Sequence, residues 1–253
     1  MDNKQLKKVV NLFKNSDKIT VFTGAGISTN CGIPDFRGPE GLYTFVQEKY
    51  NLPYPEAIFD IDFFHRNPAP FYQLSKELFT EEIKPSVTHQ FVAWLEEQNK
   101  ISLVMTQNID MLHTIAGNKK VIECHGGYQT AHCTKCEKKY SFKDIEQSMR
   151  KGKVPYCTCE GVIKPDVVFF GEQLPFEFYK AYQSPPETDL LVVMGSSLTV
   201  QPAAGFALNI AKDTASILIN LDRIDYEYMF TYTIHEDLDK FSKLIWDELR
   251  SEG

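Results

Sequence analysis

The chain has 253 residues, 43% hydrophobic and 24% charged, enough to bury one sizeable core with a small module appended. Its 27 Lys and Arg against 34 Asp and Glu give a formal net charge of −7, which argues against nucleic acid as the main partner because phosphate contacts need clustered cations. No apolar run approaches the roughly 20 residues of a membrane helix, and the segment from Met1 to Lys8 has no apolar signal core, so the expectation is an intracellular, cytoplasmic chain without a membrane partner.

Leu6, Val9, Val10, Leu12 and Phe13 recur at helical spacing and predict an amphipathic helix near 3–15. Ile19-Thr-Val-Phe22 reads as a strand, followed by Gly24-Ala25-Gly26-Ile-Ser28 and an expected helix. Glycines there let the backbone approach a phosphate, and a helix N-terminus favours its charge. A plain turn fits the same residues, and Thr29 stands where a dehydrogenase fingerprint wants a small side chain. Next, Gly32-Ile-Pro-Asp35-Phe36-Arg37 is a stiffened loop: Phe36 is placed to cover a reactive ligand and Arg37 to pair with phosphate, unless the loop is ordinary surface.

Residues 39–84 are aromatic-rich, with helix-like segments broken by Pro53, Pro55, Pro68 and Pro70. A helix over Thr88–Gln98 leads into the strand Ile101–Met105, whose tip is Thr106-Gln107-Asn108-Ile109-Asp110. Asp110 and the backbone at Ile109 suit an amide-bearing ligand, while Asn and Asp there equally suit a helix cap. Val121-Ile122 ends in Cys124-His125-Gly126. His125 is a natural general base, since histidine titrates near neutral pH. The other histidines (His65, His89, His113, His132, His235) have no strand tip with glycines beside them.

Cys133-x-x-Cys136 and Cys157-x-Cys159 have the layout of a zinc ribbon, with four thiolates and no open coordination position, hence a structural metal. The second knuckle is one residue short, which leaves His132 as a rival to Cys159 for the fourth ligand. Leu190–Met194 is a strand ending in Gly195-Ser196-Ser197. A helix over Pro202–Lys212 follows, then Ser216–Ile219 ending in Asn220-Leu221. These strands are apolar almost without alternation, as expected when both faces are covered. The pattern predicts an α/β fold with a Rossmann-like doubly wound parallel sheet, whose five strand tips meet at one crevice. The large domain is expected over 1–38, 85–127 and 165–253. A smaller domain is expected from a helical insertion (39–84) and a zinc-binding insertion (128–164).

In order along the chain, Gly24-Ala-Gly-Ile-Ser, Gly32-Ile-Pro-Asp-Phe-Arg, Thr106-Gln-Asn-Ile-Asp, His125-Gly, the cysteine pairs, Lys164-Pro-Asp-Val-Val-Phe-Phe-Gly-Glu172 and Gly195-Ser-Ser-Leu198 resemble the sirtuins, from about residue 5 to about residue 245. The resemblance implies a lysine deacylase that consumes NAD and makes nicotinamide, free lysine and O-acyl-ADP-ribose, with one structural zinc. By that resemblance, Ala25, Thr29 and Arg37 meet the phosphates and nearby ribose, and Gly24, Gly26 and Asp35 belong to the same cofactor-binding set. Phe36 shields the reactive ribose carbon from water. Asn108, Ile109 and Asp110 take the nicotinamide amide, with Gln107 near its ribose and Asn108 also catalytic. Gly195, Ser196 and Ser197 meet the cofactor, Asn220 and Leu221 the adenosine ribose, and Asp237 the adenine end. His125 accepts a proton from a ribose hydroxyl. Val167, Val168 and Phe169 pair with an extended acyl-lysine peptide, and Phe170 lines the acyl-lysine tunnel.

Sirtuins that prefer succinyl or malonyl groups carry a Tyr and an Arg, two residues between them, in the helical insertion. Here Tyr72 is followed by Gln73, Leu74 and Ser75, which implies acetyl or longer uncharged acyl groups. Short flanks imply a compact, prokaryote-like form without regulatory arms. An NAD-consuming ADP-ribosyltransferase or hydrolase, and a non-catalytic NAD-responsive module, are the competing readings.

Overall fold

Asp2 opens the first helix, α1 (Asn3–Asn15), by accepting the Gln5 N–H at 2.7 Å. The computed structural model describes residues 2–36, 41–78 and 83–251. Strand β1 (Ile19–Thr23) runs into two 3₁₀ turns, Ala25–Ile27 and Thr29–Cys31, in place of the expected helix. Gly32, at φ +86°, ends them, so no aligned helix dipole stands behind the glycine loop. Helices α2 (Leu42–Tyr50), α3 (Ile61–Arg66) and α4 (Ala69–Leu78) lie in the first insertion. Helix α5 (Val87–Glu97), β2 (Ile101–Thr106), α6 (Leu112–Ala116) and β3 (Val121–Glu123) continue the large domain. The second insertion holds β4 (Gly126–Cys133), β5 (Lys139–Ser141), α7 (Phe142–Lys151) and β6 (Ile163–Val167). The chain closes with α8 (Phe176–Gln183), β7 (Leu190–Met194), α9 (Ala203–Ala211), β8 (Ala215–Asn220), β9 (Tyr232–His235) and α10 (Leu238–Ser251).

The large sheet has the order β3-β2-β1-β7-β8-β9 and every pairing is parallel. Numbered among themselves, its strands run 3-2-1-4-5-6, the Rossmann order, with the switch point between β1 and β7. The register shows why alternation is absent. Val21 is paired with Val104 and Val192, and all three join a core with α1, α5 and α10. One residue on, Phe22, Met105 and Val193 join a second core with α8 and α9 on the other face. Fully burying such a side chain contributes about 1.5–3 kcal/mol, so both faces hold the sheet in register. Strand β9 escapes prediction because it is an edge strand in which only Ile234 is buried.

Residues of both insertions share one further core: Leu42, Val46, Phe59 and Phe71 pack with Ile145, Met149 and Ile163. The small antiparallel sheet, β5-β4-β6, extends beyond the expected 128–164, since β4 begins at Gly126 and β6 ends at Val167. Gly126 makes this possible: at φ +65° it passes so close to β6 that a Cβ there would lie 1.9 Å from the Asp166 carbonyl oxygen. The chain next to His125 and the start of Val167–Phe170 are thus carried by the small sheet. No helix among the described residues is long and apolar enough to cross a membrane.

Candidate active site and metal centre

The tips of β1, β2, β7 and β8 meet the small domain around a cavity of about 520 Å³, the size of a bound small-molecule ligand. Its floor is made by close approach of two loops. A Cβ on Gly24 would sit 2.7 Å from the Gly195 carbonyl oxygen, and one on Gly26 the same distance from the Gly195 Cα, so only glycine fits at either position. The Gly24, Gly26, Ile27 and Ser28 amides donate to Met194, Gly195, Gly24 and Ala25 carbonyls. Among the described residues the Ala25 N–H has no protein acceptor, which leaves one backbone donor for an anion at the switch point.

Ala25, Thr29, Asp35, Phe36, Gln107, Asn108, Ile109, Ser196, Ser197, Asn220, Leu221 and Asp237 all line this cavity with the three glycines. Residues 35 and 36 are docked on α2, whose Leu42 and Tyr43 amides donate to their carbonyls at 2.7 and 3.1 Å. Arg37 lies outside the described residues. Asp110 stands behind the wall instead of on it. Asn108 Nδ2 donates to Ser28 Oγ (3.0 Å), and Ser28 Oγ donates to Asp110 Oδ2 (2.7 Å). The carboxylate also caps α6 through the Leu112 N–H, so it holds the Ser28 side chain that fixes the Asn108 amide. Ser196 Oγ donates to Gln107 Oε1 at 2.8 Å, and Asn220 Nδ2 to the Ser196 carbonyl at 2.9 Å, tying three strand tips together.

At the end of the cavity beside α10, Asp237 accepts from Asn30 Nδ2 (3.0 Å) and from the Lys240 N–H (2.9 Å). Burial works against its charge, but these donors prevail and hold it below the usual carboxylate range. Asn30, Gln201, Arg223 and Tyr179 also line the cavity and were missed by sequence reasoning. Asn30 has a signal only in three dimensions, through a partner 207 residues away.

His125 is the one histidine on the described wall. Its Nδ1 lies 2.9 Å from the Gln107 carbonyl, which only accepts, so Nδ1 carries the proton and Nε2 the lone pair. Burial pushes its pKa below the ordinary value of 6.5, with the Gln107 carbonyl opposing, so the ring is a neutral base at pH 7. His113 and His89 are core residues by contrast, pushed down by burial to about 3 and about 4. His113 Nε2 sits 3.0 Å from Thr23 Oγ1, beneath the cavity floor.

The far end is aromatic. Phe36 packs against Tyr43 (5.4 Å between centroids) and Phe59 (6.0 Å), and Phe59 against Phe169 (5.7 Å). Val167, Val168, Phe169 and Phe170 all reach the cavity. They are not a regular edge strand. Val168 N–H donates to the His125 carbonyl, Phe169 N–H to Glu172 Oε2 and Phe170 N–H to the Phe59 carbonyl, so these three amides are already engaged. Tyr72 and Ser75 are buried in the small-domain core, where the Tyr72 hydroxyl donates to the Ile163 carbonyl. They do not line the wall.

The four Sγ atoms of Cys133, Cys136, Cys157 and Cys159 lie within 4.8 Å of one another. Sulfurs 2.3 Å from a tetrahedral zinc stand about 3.8 Å apart, and the structure has Cys133–Cys159 at 3.4 Å and Cys136–Cys157 at 3.7 Å. The set fits a structural zinc. The Cys159 N–H and the Tyr140 hydroxyl, at 3.1 Å, pull the Cys157 thiol down to about 5, toward the thiolate a metal requires. His132 is not the fourth ligand: its Nδ1 is 2.6 Å from Asp166 Oδ1 across the small sheet. The short second knuckle therefore still delivers Cys159.

A family model described as the Sir2 family matches residues 24–202. The chain is 41% identical to NAD-dependent deacetylase sir2D of Dictyostelium discoideum over 95% of its own length, and it spans 46% of that relative. Among solved structures, one described as "Structural Basis for the Mechanism and Regulation of Sir2 Enzymes" is 34% identical, with a TM-score of 0.89 and full coverage of both chains. Another, described as "Sir2-p53 peptide-NAD+", is 38% identical with a TM-score of 0.83, covering 96% of this chain and 98% of that one.

Proposed function

The chain belongs to the Sir2 family, and from that premise we propose that it removes acetyl or longer uncharged acyl groups from protein lysines, consuming NAD and releasing nicotinamide, free lysine and O-acyl-ADP-ribose. One observation carries the reading. A single cavity joins a glycine-lined floor to an aromatic end, with one neutral histidine on its wall. NAD supplies a nicotinamide–ribose bond whose cleavage exposes the ribose carbon to attack by the acyl oxygen.

The protein's part is to bind, orient and keep water out. The Ala25 N–H suits the diphosphate, beside a Thr29 whose hydroxyl donates to the Gly26 carbonyl (3.0 Å), while Asn220 and Leu221 suit the adenosine ribose and Asp237 the adenine end. Gln107, Asn108 and Ile109 suit the nicotinamide riboside, with Asp110 acting through Ser28. Phe36, held on α2 beside Phe59, covers the ribose carbon against water. His125 Nε2 takes the proton from a ribose hydroxyl. An acyl-lysine peptide runs along Val167–Phe170; with three amides there engaged, it meets the segment chiefly through carbonyl oxygens and side chains. Four cysteines gathered at a metal centre instead of in disulfides fit a reducing compartment, the cytoplasm.

The acyl preference follows from charge. Among the described residues lining the cavity, Arg223 is the only Lys or Arg, and the inner end is aromatic. Among the described residues a succinyl carboxylate there would find no cationic partner. Turnover on acetyl-, fatty-acyl- and succinyl-lysine peptides with NAD tests this. The expected order has succinyl slower by roughly 100-fold or more, the cost of a few kcal/mol for an unpaired charge. Faster succinyl removal would overturn the assignment.

A further inference from the structure

Lys164 is 1% exposed, the one lysine among the described residues buried so deeply, and it lies in β6 at the foot of the segment that borders the cavity. Its ammonium donates to Glu172 Oε2 (2.9 Å), the Val167 carbonyl (2.7 Å) and the Pro165 carbonyl (3.3 Å). The Phe169 ring lies 4.1 Å from it. Glu172 Oε2 accepts the Phe169 N–H as well (2.7 Å), and the Glu172 N–H donates to the Phe169 carbonyl (3.0 Å). The chain between Val167 and Glu172 is thus wrapped around one ammonium, with Gly171 at φ +94° completing the turn.

A buried ion pair is a poor source of stability, because desolvation offsets most of the attraction and an apolar pair of similar volume often does as well. Its effect is on conformation. Here that conformation is the course of Val168, Phe169 and Phe170. One end of this stretch is bound to His125 through the Val168 amide, and the other to the small domain through Phe59 and Ile61.

We propose that Lys164 and Glu172 form a clamp, its ammonium buried and its carboxylate half-buried at the cavity, that positions the acyl-peptide-binding segment. They act as positioning residues for the protein substrate and not for NAD. The proposal rests on the deacylase reading, because it takes Val167–Phe170 as the peptide's border. The groups the ammonium holds, Pro165, Val167 and Glu172, lie on or flank that border, whereas the Gly24–Gly26 floor and the Gln107–Ser196 bond lie elsewhere.

The test compares wild type with Lys164→Met and Glu172→Gln, measuring KM for acetyl-lysine peptide and for NAD, together with amide hydrogen exchange over 166–172. Lys164→Met removes all three of the ammonium's hydrogen bonds and is expected to raise peptide KM roughly tenfold or more, the equivalent of at least one charge-assisted hydrogen bond. NAD KM should stay within about twofold, and the Phe169 amide should lose protection. Glu172→Gln keeps an acceptor and loses the charge, so a smaller rise in peptide KM alone is expected; it decides the matter if Lys164→Met does not fold. An unchanged peptide KM, or equal changes for both substrates, would overturn the clamp. Wild type without NAD-dependent deacylation would instead overturn the function, and the exchange data would still report on the clamp.

Discussion

His125→Ala is expected to lower NAD-dependent deacylation by about 10²–10⁴-fold, the usual contribution of a positioned general base, while leaving NAD affinity within a few-fold. The reasons are geometric. The Gln107 carbonyl fixes the imidazole with its proton on Nδ1, leaving Nε2 as the only basic nitrogen. The cofactor contacts proposed above, by contrast, fall on Gly24–Gly26, Thr29, Ser196 and Asn220, which line the cavity apart from His125. The pH dependence has a definite sign. Burial disfavours the imidazolium, so the pKa in the folded protein lies below 6.5. The active neutral form therefore predominates at pH 7, and kcat/KM should fall as pH drops through that lowered value. Kinetics across pH with calorimetric NAD titration check both points. Substantial turnover by the variant, or a rate that declines as pH rises through 6 to 7, would remove His125 from its role.

Zinc removal should have the largest effect on stability. Structural zinc contributes about 10–16 kcal/mol in small zinc-binding peptides, as much as the whole stability of an ordinary domain at about 5–15 kcal/mol. The small sheet has little else to close it at that end, since β5 spans only Lys139–Ser141. A strong chelator, or Cys157→Ser, is expected to abolish one equivalent of bound zinc and the cooperative melting of the small domain. Activity should fall with it although the cluster is not on the cavity wall, because β4 starts at Gly126, next to His125, and β6 ends at Val167. His132→Ala should retain its zinc, since that ring is engaged by Asp166. Unchanged melting after complete zinc removal would contradict the assignment.

How much of this was legible in the sequence depended on the range of the interaction. Leu190–Met194 declares a doubly covered strand by its apolar run, and the polar tips at Gly24, Gln107, His125, Gly195 and Asn220 declare the edge where strands end. The cysteine pairs announced a metal, but only the folded spacing, with Cys133 beside Cys159, chose Cys159 over His132. Edge strand β9 stayed hidden because burying one residue leaves no periodic signal. Spacing along the chain places Asp110 with Asn108 at a strand tip, yet it cannot tell that Ser28 takes its carboxylate and keeps it off the wall. Nor does the run Val167–Phe170, strand-like by composition, disclose that its amides are already engaged or that Lys164 lies beneath it. Those are facts of packing between segments far apart, which no local pattern encodes.

The most direct test of the central claim is the mass and stoichiometry of the products formed from NAD and an acetyl-lysine peptide. The account predicts nicotinamide, free-lysine peptide and O-acetyl-ADP-ribose in equal amounts, with nicotinamide release dependent on the acylated peptide. Release of nicotinamide with free ADP-ribose in the absence of peptide, or transfer of ADP-ribose onto protein, would contradict it.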